Sequence, residues 1–134
     1  MIPERVTWAL VARRLSVACV VGCALLGTLR IAGVRRLVVE GSSMTPTLMP
    51  GDRLLVVRPL RLRPGDLVAV PDPRHGGRLL VKRIMTIADG RVELRGDNPG
   101  ASTDSRDFGA VPTRRVLARV VRRYAPSHRR GRPV

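Results

Sequence analysis

The chain has 134 residues, 25 of them Lys or Arg and 10 Asp or Glu, for a formal charge of +15. That length allows one compact domain of ordinary size, and 44% hydrophobic residues suffice for its core, which excludes a wholly disordered chain. The aromatic residues are Trp8, Phe108 and Tyr124, too few for the stacking platforms that single-stranded nucleic acid requires.

The charge is unevenly placed. Residues 1–36 carry six Arg and one Glu, and residues 121–134 carry five Arg and no acid. The middle of the chain is only mildly basic, so no nucleic-acid partner is expected. Twenty-four of the 25 basic residues are Arg, and the only Lys is Lys82. Arg does not lose its proton in a protein, whereas Lys does.

Residues 1–14 form a basic N-terminal segment. From Leu15 to Leu29 there is no charged residue, and extension to Val34 gives 20 residues. As a helix these would span about 30 Å, the thickness of a bilayer core, so 15–34 reads as a membrane anchor. Arg30 would snorkel to the interface. Arg13 and Arg14 on one side and Arg35 and Arg36 on the other leave the orientation open. A cleaved signal peptide, a lipoprotein-like site at Val20–Cys23 and a buried helix are the competing readings. Both cysteines, Cys19 and Cys23, lie in this segment, so the remainder needs no disulfide.

After Arg36 the sequence turns to short β-like runs punctuated by Pro and Gly. The expected strands are 37–40, 53–57, 66–70, 78–87 and 91–95. Pro50-Gly51-Asp52 and Pro64-Gly65-Asp66 are matching turn signals, and Ala88-Asp89-Gly90 reads as a hairpin turn. Residues 114–124 suit a helix as well as a strand, because Val116, Leu117, Val120, Val121 and Tyr124 satisfy both periods. Residues 125–134, rich in Pro, Arg and Gly, read as a disordered basic tail. With two His and no Cys after residue 23, neither a metal site nor a cofactor is expected.

Three segments could carry chemistry. Ser43 follows a strand inside Glu40-Gly41-Ser42-Ser43-Met44-Thr45-Pro46, where Gly41 and Pro46 impose a sharp turn. A serine nucleophile needs a base. His75, in the Pro71–Gly77 loop, and His128, in the tail, are poorly placed for that role. Lys82 is the better candidate. Strand alternation places it on one face with Leu80 and Ile84, and apolar neighbours would lower its pKa toward that of a general base. An exposed Lys on an edge strand is the plainer alternative. The third segment, Gly96 to Gly109, holds three Asp, two Ser and one Arg and reads as a hydrogen-bonded loop with an internal Asp–Arg pair.

Together these segments resemble the type I signal peptidases, membrane-anchored Ser–Lys proteases. Ser-Met-x-Pro-Thr-Leu stands at Ser43–Leu48, Lys-Arg at Lys82–Arg83, and Gly-Asp-Asn…Ser-x-Asp-Ser-Arg-x-Phe-Gly at Gly96–Gly109. The order is right, and the resemblance covers about residues 15–120. It implies a mainly β, compact signal-peptidase-like catalytic domain over 35–124 behind one N-terminal transmembrane helix. It implies Ser43 as nucleophile, Lys82 as general base and Ser102 as the residue orienting the Lys82 amine. The Ser43 backbone N–H would be one oxyanion donor. Gly41 stands where some relatives carry a second, as in the type common in Gram-positive bacteria. Val39, Met44, Leu48 and Val81 would line a shallow pocket for a small substrate residue, and Asp97, Asp104 and Arg106 would be structural. The substrates would be preproteins with small residues before the cleavage site, bound as an added strand against Leu37–Gly41 and Leu79–Lys82. The enzyme would sit in the cell membrane with its catalytic domain outside, against the lipid.

Only 13 residues separate Lys82 from Gly96, where many relatives insert an accessory β-domain, so the chain resembles a minimal catalytic core. That short form also resembles the maturation proteases of nickel-type superoxide dismutase. A basic, membrane-tethered binding protein is the non-catalytic alternative.

Overall fold

The computed structural model describes residues 33–134, and Val34–Val134 form one compact unit. The basic segment 1–14 and all but the last two residues of the expected anchor lie outside the described residues, as do Cys19 and Cys23. Among the described residues no helix is long and apolar enough to cross a membrane.

Seven strands form one antiparallel sheet: β1 (Arg35–Val38), β2 (Arg53–Val57), β3 (Leu67–Pro71), β4 (Leu79–Ala88), β5 (Arg91–Arg95), β6 (Val111–Pro112) and β7 (Ala118–Ala125). Their order is β1-β2-β7-β3-β4-β5-β6. A four-residue helix, α1 (Ser105–Phe108), and three short 3₁₀ turns complete the unit. The expected mainly β domain is observed, and four of the five expected strands fall within one residue of their places. The first lies two residues earlier than expected. Val39 has left β1, although it still bonds across to the start of β2 (Val39 N to Asp52 O, Gly51 N to Val39 O, both 2.9 Å).

The twin Pro-Gly-Asp signals build twin turns. Gly51 and Gly65 have φ of +88° and +90°, the left-handed geometry required at the third position of a type II turn. In each, the Asp carboxylate accepts the backbone N–H three residues earlier, Met49 N to Asp52 and Arg63 N to Asp66, both at 2.9 Å. The hairpin at Asp89-Gly90 has φ of 50° and 70°, and Ala88 pairs with Arg91 across it. Two positive φ values in a two-residue loop match the twist of the flanking strands.

β3 organises the core. Leu67, Val68, Ala69 and Val70 are all buried, the continuous apolar run of a strand covered on both faces. Leu67 and Ala69 pack with Val39, Met44, Leu48, Leu54, Val56, Ala118 and Val120. Val68 and Val70 pack with Leu80, Ile84, Val92, Leu94, Val111 and Val116. Burying each such side chain contributes about 1.5–3 kcal/mol. The ambiguous segment 114–124 is resolved as a 3₁₀ turn (Thr113–Arg115) followed by β7. β7 is a strand because β2 and β3 both pair with it.

The tail departs from expectation. Ala125 ends β7, Ser127–Arg129 form a 3₁₀ turn, and Gly131 bridges back to Arg123. Instead of trailing away, 125–131 fold against the domain. The partners are Asp52 and the carbonyls of Pro46 and Thr47.

Candidate active site

Lys82 lies mid-β4 opposite Val68, with Leu80 and Ile84 buried on its own face. At 2% exposure it is the largest fully buried side chain of the described unit. Its Nζ donates to Ser102 Oγ at 2.9 Å, and Ser102 Oγ donates in turn to Asp104 Oδ2 at 2.8 Å. Burial pushes the Lys82 pKa below its ordinary value. The Asp104 charge opposes that shift, while Arg78 and Arg106 reinforce it. The environment therefore favours a neutral amine, the state in which Lys can accept a proton.

Asp104 is a fully buried junction. It accepts from Arg106 Nε and Nη2 (2.9 and 2.7 Å), from Gly96 N (3.0 Å) and from Arg106 N (3.2 Å). It also caps α1, whose Asp107 carboxylate returns a bond to the Asp104 N–H. The Arg106 guanidinium holds the Asp104 carboxyl well below the usual carboxylate range, against the opposing effect of burial. This is the internal Asp–Arg pair expected from the sequence.

Asp97 belongs to a second junction. It receives Arg83 Nε and Nη2 (2.9 and 2.7 Å) and the Thr47 hydroxyl (2.6 Å). Burial alone would raise its pKa, but Arg83 and Thr47 together bring it below the ordinary value. Asn98 adds three bonds to the Ser43 turn: its N–H to Ser43 O (3.0 Å), and its amide to Ser42 O (3.1 Å) and Thr45 Oγ1 (2.9 Å). Arg83, Thr47 and Asn98 were not singled out as site residues from the sequence. Their partners lie 14 to 56 residues away, so the motifs at Ser43–Leu48, Lys82–Arg83 and Gly96–Gly109 that contain them did not show what they bond.

Gly96 sits where these parts meet. A Cβ there would lie 2.2 Å from Ser102 Oγ and 2.5 Å from the Ser43 carbonyl oxygen. The missing side chain is what lets the Ser43 backbone and Ser102 approach one another.

Ser43 and Lys82 line one cleft of about 850 Å³. Its walls are 36–44 on one side and 78–82 on the other, with Arg74, Gly76, Gly77, Ala101 and Thr103 at its margins. Among the described residues both walls carry unpaired backbone. β1 ends the sheet, and the stretch 79–82 of β4 is bonded to β3 alone because β5 takes up β4 only from Arg83. Of the four pocket candidates Val39, Met44 and Val81 line the cleft and Leu48 does not; Gly41 lines it too. Leu48 is fully buried in the core because its N–H closes a helical turn onto Met44 O (2.8 Å), which directs it inward. Neither His lines the cleft. His75 is exposed and pairs with Asp72 (3.5 Å), and His128 lines a separate hollow beside Met49–Arg53. Among the described residues no His, Cys, Asp and Glu cluster could hold a metal ion.

An antiparallel β unit presents a turn serine and a buried lysine of lowered pKa to one groove, which is an arrangement suited to a peptidase. Residues 12–98 match the family described as signal peptidase, peptidase S26, and the chain belongs to that family. It is similar to mitochondrial ATP-independent inner membrane protease subunit 1a of Arabidopsis thaliana, 33% identical over 66% of this chain and 68% of that protein. It is similar to signal peptidase I U of Bacillus subtilis, 31% identical over 55% of this chain and 41% of the relative. It is also similar to mitochondrial inner membrane protease subunit 2 of Mus musculus, 32% identical over 61% of each chain. The matches thus span from about two fifths to two thirds of the length of these three relatives.

Proposed function

We propose that the protein is a membrane-tethered serine endopeptidase that removes N-terminal signal peptides from exported preproteins, with Ser43 as nucleophile and Lys82 as general base. The observation that carries this reading is the burial of Lys82, its amine held by Ser102, in the groove that Ser43 also lines. Family membership and relatives named as signal peptidase and inner membrane protease support it. The apolar segment 15–34 supplies the tether.

The substrate enters as an added strand between the unpaired edges of 37–41 and 79–82. Val39, Met44 and Val81 leave room for a small side chain before the scissile bond. The neutral Lys82 Nζ takes the Ser43 hydroxyl proton as Oγ bonds to the scissile carbonyl carbon. The Ser43 N–H stabilises the resulting oxyanion. The tetrahedral adduct collapses as the Lys82 ammonium returns that proton to the leaving amine, giving an acyl-enzyme. Water, deprotonated by Lys82, then releases the acid and regenerates Ser43. Ser102 keeps the amine aimed throughout, and Asp104 keeps Ser102 aimed.

Ser43→Ala and Lys82→Arg should each abolish cleavage, by about 10⁴-fold or more, with Ser43→Ala leaving the melting temperature near that of the parent. Arg at position 82 cannot give up its proton to act as a base, so an active Lys82→Arg enzyme would refute the dyad. Offering both a preprotein with a small-x-small site and an N-terminally extended nickel superoxide dismutase tests the substrate. Cleavage of the second alone would replace the signal-peptide reading with the maturation-protease reading.

A further inference from the structure

The C-terminal strap is bound to the turn that carries Ser43. Arg123 Nη1 donates to Thr47 O at 2.8 Å, and its Nε donates to Arg129 O. Arg129 Nη2 donates to Pro46 O at 3.0 Å and to Thr47 O at 3.4 Å, while its Nη1 pairs with Asp52 at 3.2 Å. Asp52 is 1% exposed, also meets Arg123 at 3.4 Å, and accepts Met49 N at 2.9 Å. The two guanidinium groups thus cap the carbonyls three and four residues after Ser43. The turn is internally tied as well, Thr45 N to Ser42 O and Leu48 N to Met44 O, so a shift at Pro46–Thr47 is carried back to Ser43. Its opposite flank is fixed by Asn98 and, through Thr47, by Asp97.

We propose that the strap 125–131 is a positioning element for catalysis, and that Arg129 acts through the Pro46 and Thr47 carbonyls to set where Ser43 points. Arg129 does not line the cleft, so it is a positioning residue. The geometry favours a planar fork, because one side chain must satisfy two carbonyls and a carboxylate at once. The loop 42–48 retains Asn98 and Asp97 when the strap is lost, so the domain stays folded while the nucleophile samples more orientations. Misplacement by about 1 Å costs on the order of 10²-fold in rate, and partial loss of restraint costs less.

This inference rests on Ser43 being the nucleophile, and its test separates the two. The full chain in detergent, Arg129→Ala, Arg129→Lys, Ser43→Ala and a core control, Val92→Ala, are compared on one peptide substrate at a temperature where all are folded. Arg129→Ala is expected to lower kcat about tenfold with KM within twofold. Added guanidinium at about 10 mM should restore part of that loss, and Arg129→Lys should recover less than the parent rate. Val92→Ala should lower the melting temperature without that loss of kcat. An unchanged kcat in Arg129→Ala, no response to guanidinium, or an equal kcat loss in Val92→Ala would overturn the positioning role. An active Ser43→Ala enzyme would instead overturn the nucleophile assignment.

Discussion

Gly96→Ala tests whether the close approach at the heart of the site matters. The added methyl would meet Ser102 Oγ at 2.2 Å, Ser102 Cβ at 2.5 Å and the Ser43 carbonyl oxygen at 2.5 Å. Ordinary carbon contacts need about 3.5 Å, so the Ser43 backbone and Ser102 must separate from Gly96 by about 1 Å. Neither is free to do so. The Ser43 carbonyl accepts Asn98 N at 3.0 Å, and Ser102 is held between Lys82 and Asp104. Such overpacking typically costs about 1–3 kcal/mol, and in a domain near 100 residues each kcal/mol lowers the melting temperature by about 4–8 °C. The same displacement should lower kcat by about 10²-fold, because it moves the proposed nucleophile Ser43 and Ser102, the partner of the proposed base, in different directions. Thermal melts followed by circular dichroism give the first quantity, and steady-state peptide cleavage below the variant's melt gives the second. A Gly96→Ala enzyme with kcat within twofold of the parent would refute the argument that this contact sets the active geometry.

Two further tests address charge and support. In the proposed dyad Lys82 acts as the neutral amine, so kcat/KM should fall as pH drops through its pKa. Asp104 raises that pKa and Arg78 lowers it, so Asp104→Asn should move the acidic limb to lower pH and the exposed Arg78→Gln to higher pH. Shifts of the same sign in a pH–rate profile would contradict the electrostatic account. Asp97→Asn should destabilise the domain by about 1–3 kcal/mol, because it breaks the two-bond Arg83 pair and leaves a partly buried guanidinium without its anion. An unchanged urea midpoint would count against that bracing role.

What the sequence made legible followed from short-range rules. The Pro-Gly-Asp turns and the Asp89-Gly90 hairpin combine residue type with the backbone they require, so their positions were readable directly. Strand alternation grouped Lys82 with Leu80 and Ile84, which made burial one of two readings, and the structure selects it. The failures share a different character. β7 satisfied both helix and strand periods, and only pairing with β2 and β3 decides between them. Leu48 sat in the right motif but turns inward through a bond inside its own loop. The tail composition matches that of disordered segments, yet its Arg129 finds Asp52 77 residues away, a partner that no local pattern exposes.

The two unpaired edges that form the groove also pose a hazard. Bare strand backbone is a template for any extended chain, including another copy of the same protein. β1 begins Arg35-Arg36, both exposed, and Arg74 and the exposed Arg78 border the opposite edge. Two copies approaching edge to edge would bring these like charges together at close range, whereas an apolar peptide would not meet that repulsion. These exposed arginines thus place like charge along both open edges, which opposes the pairing of one copy with another there.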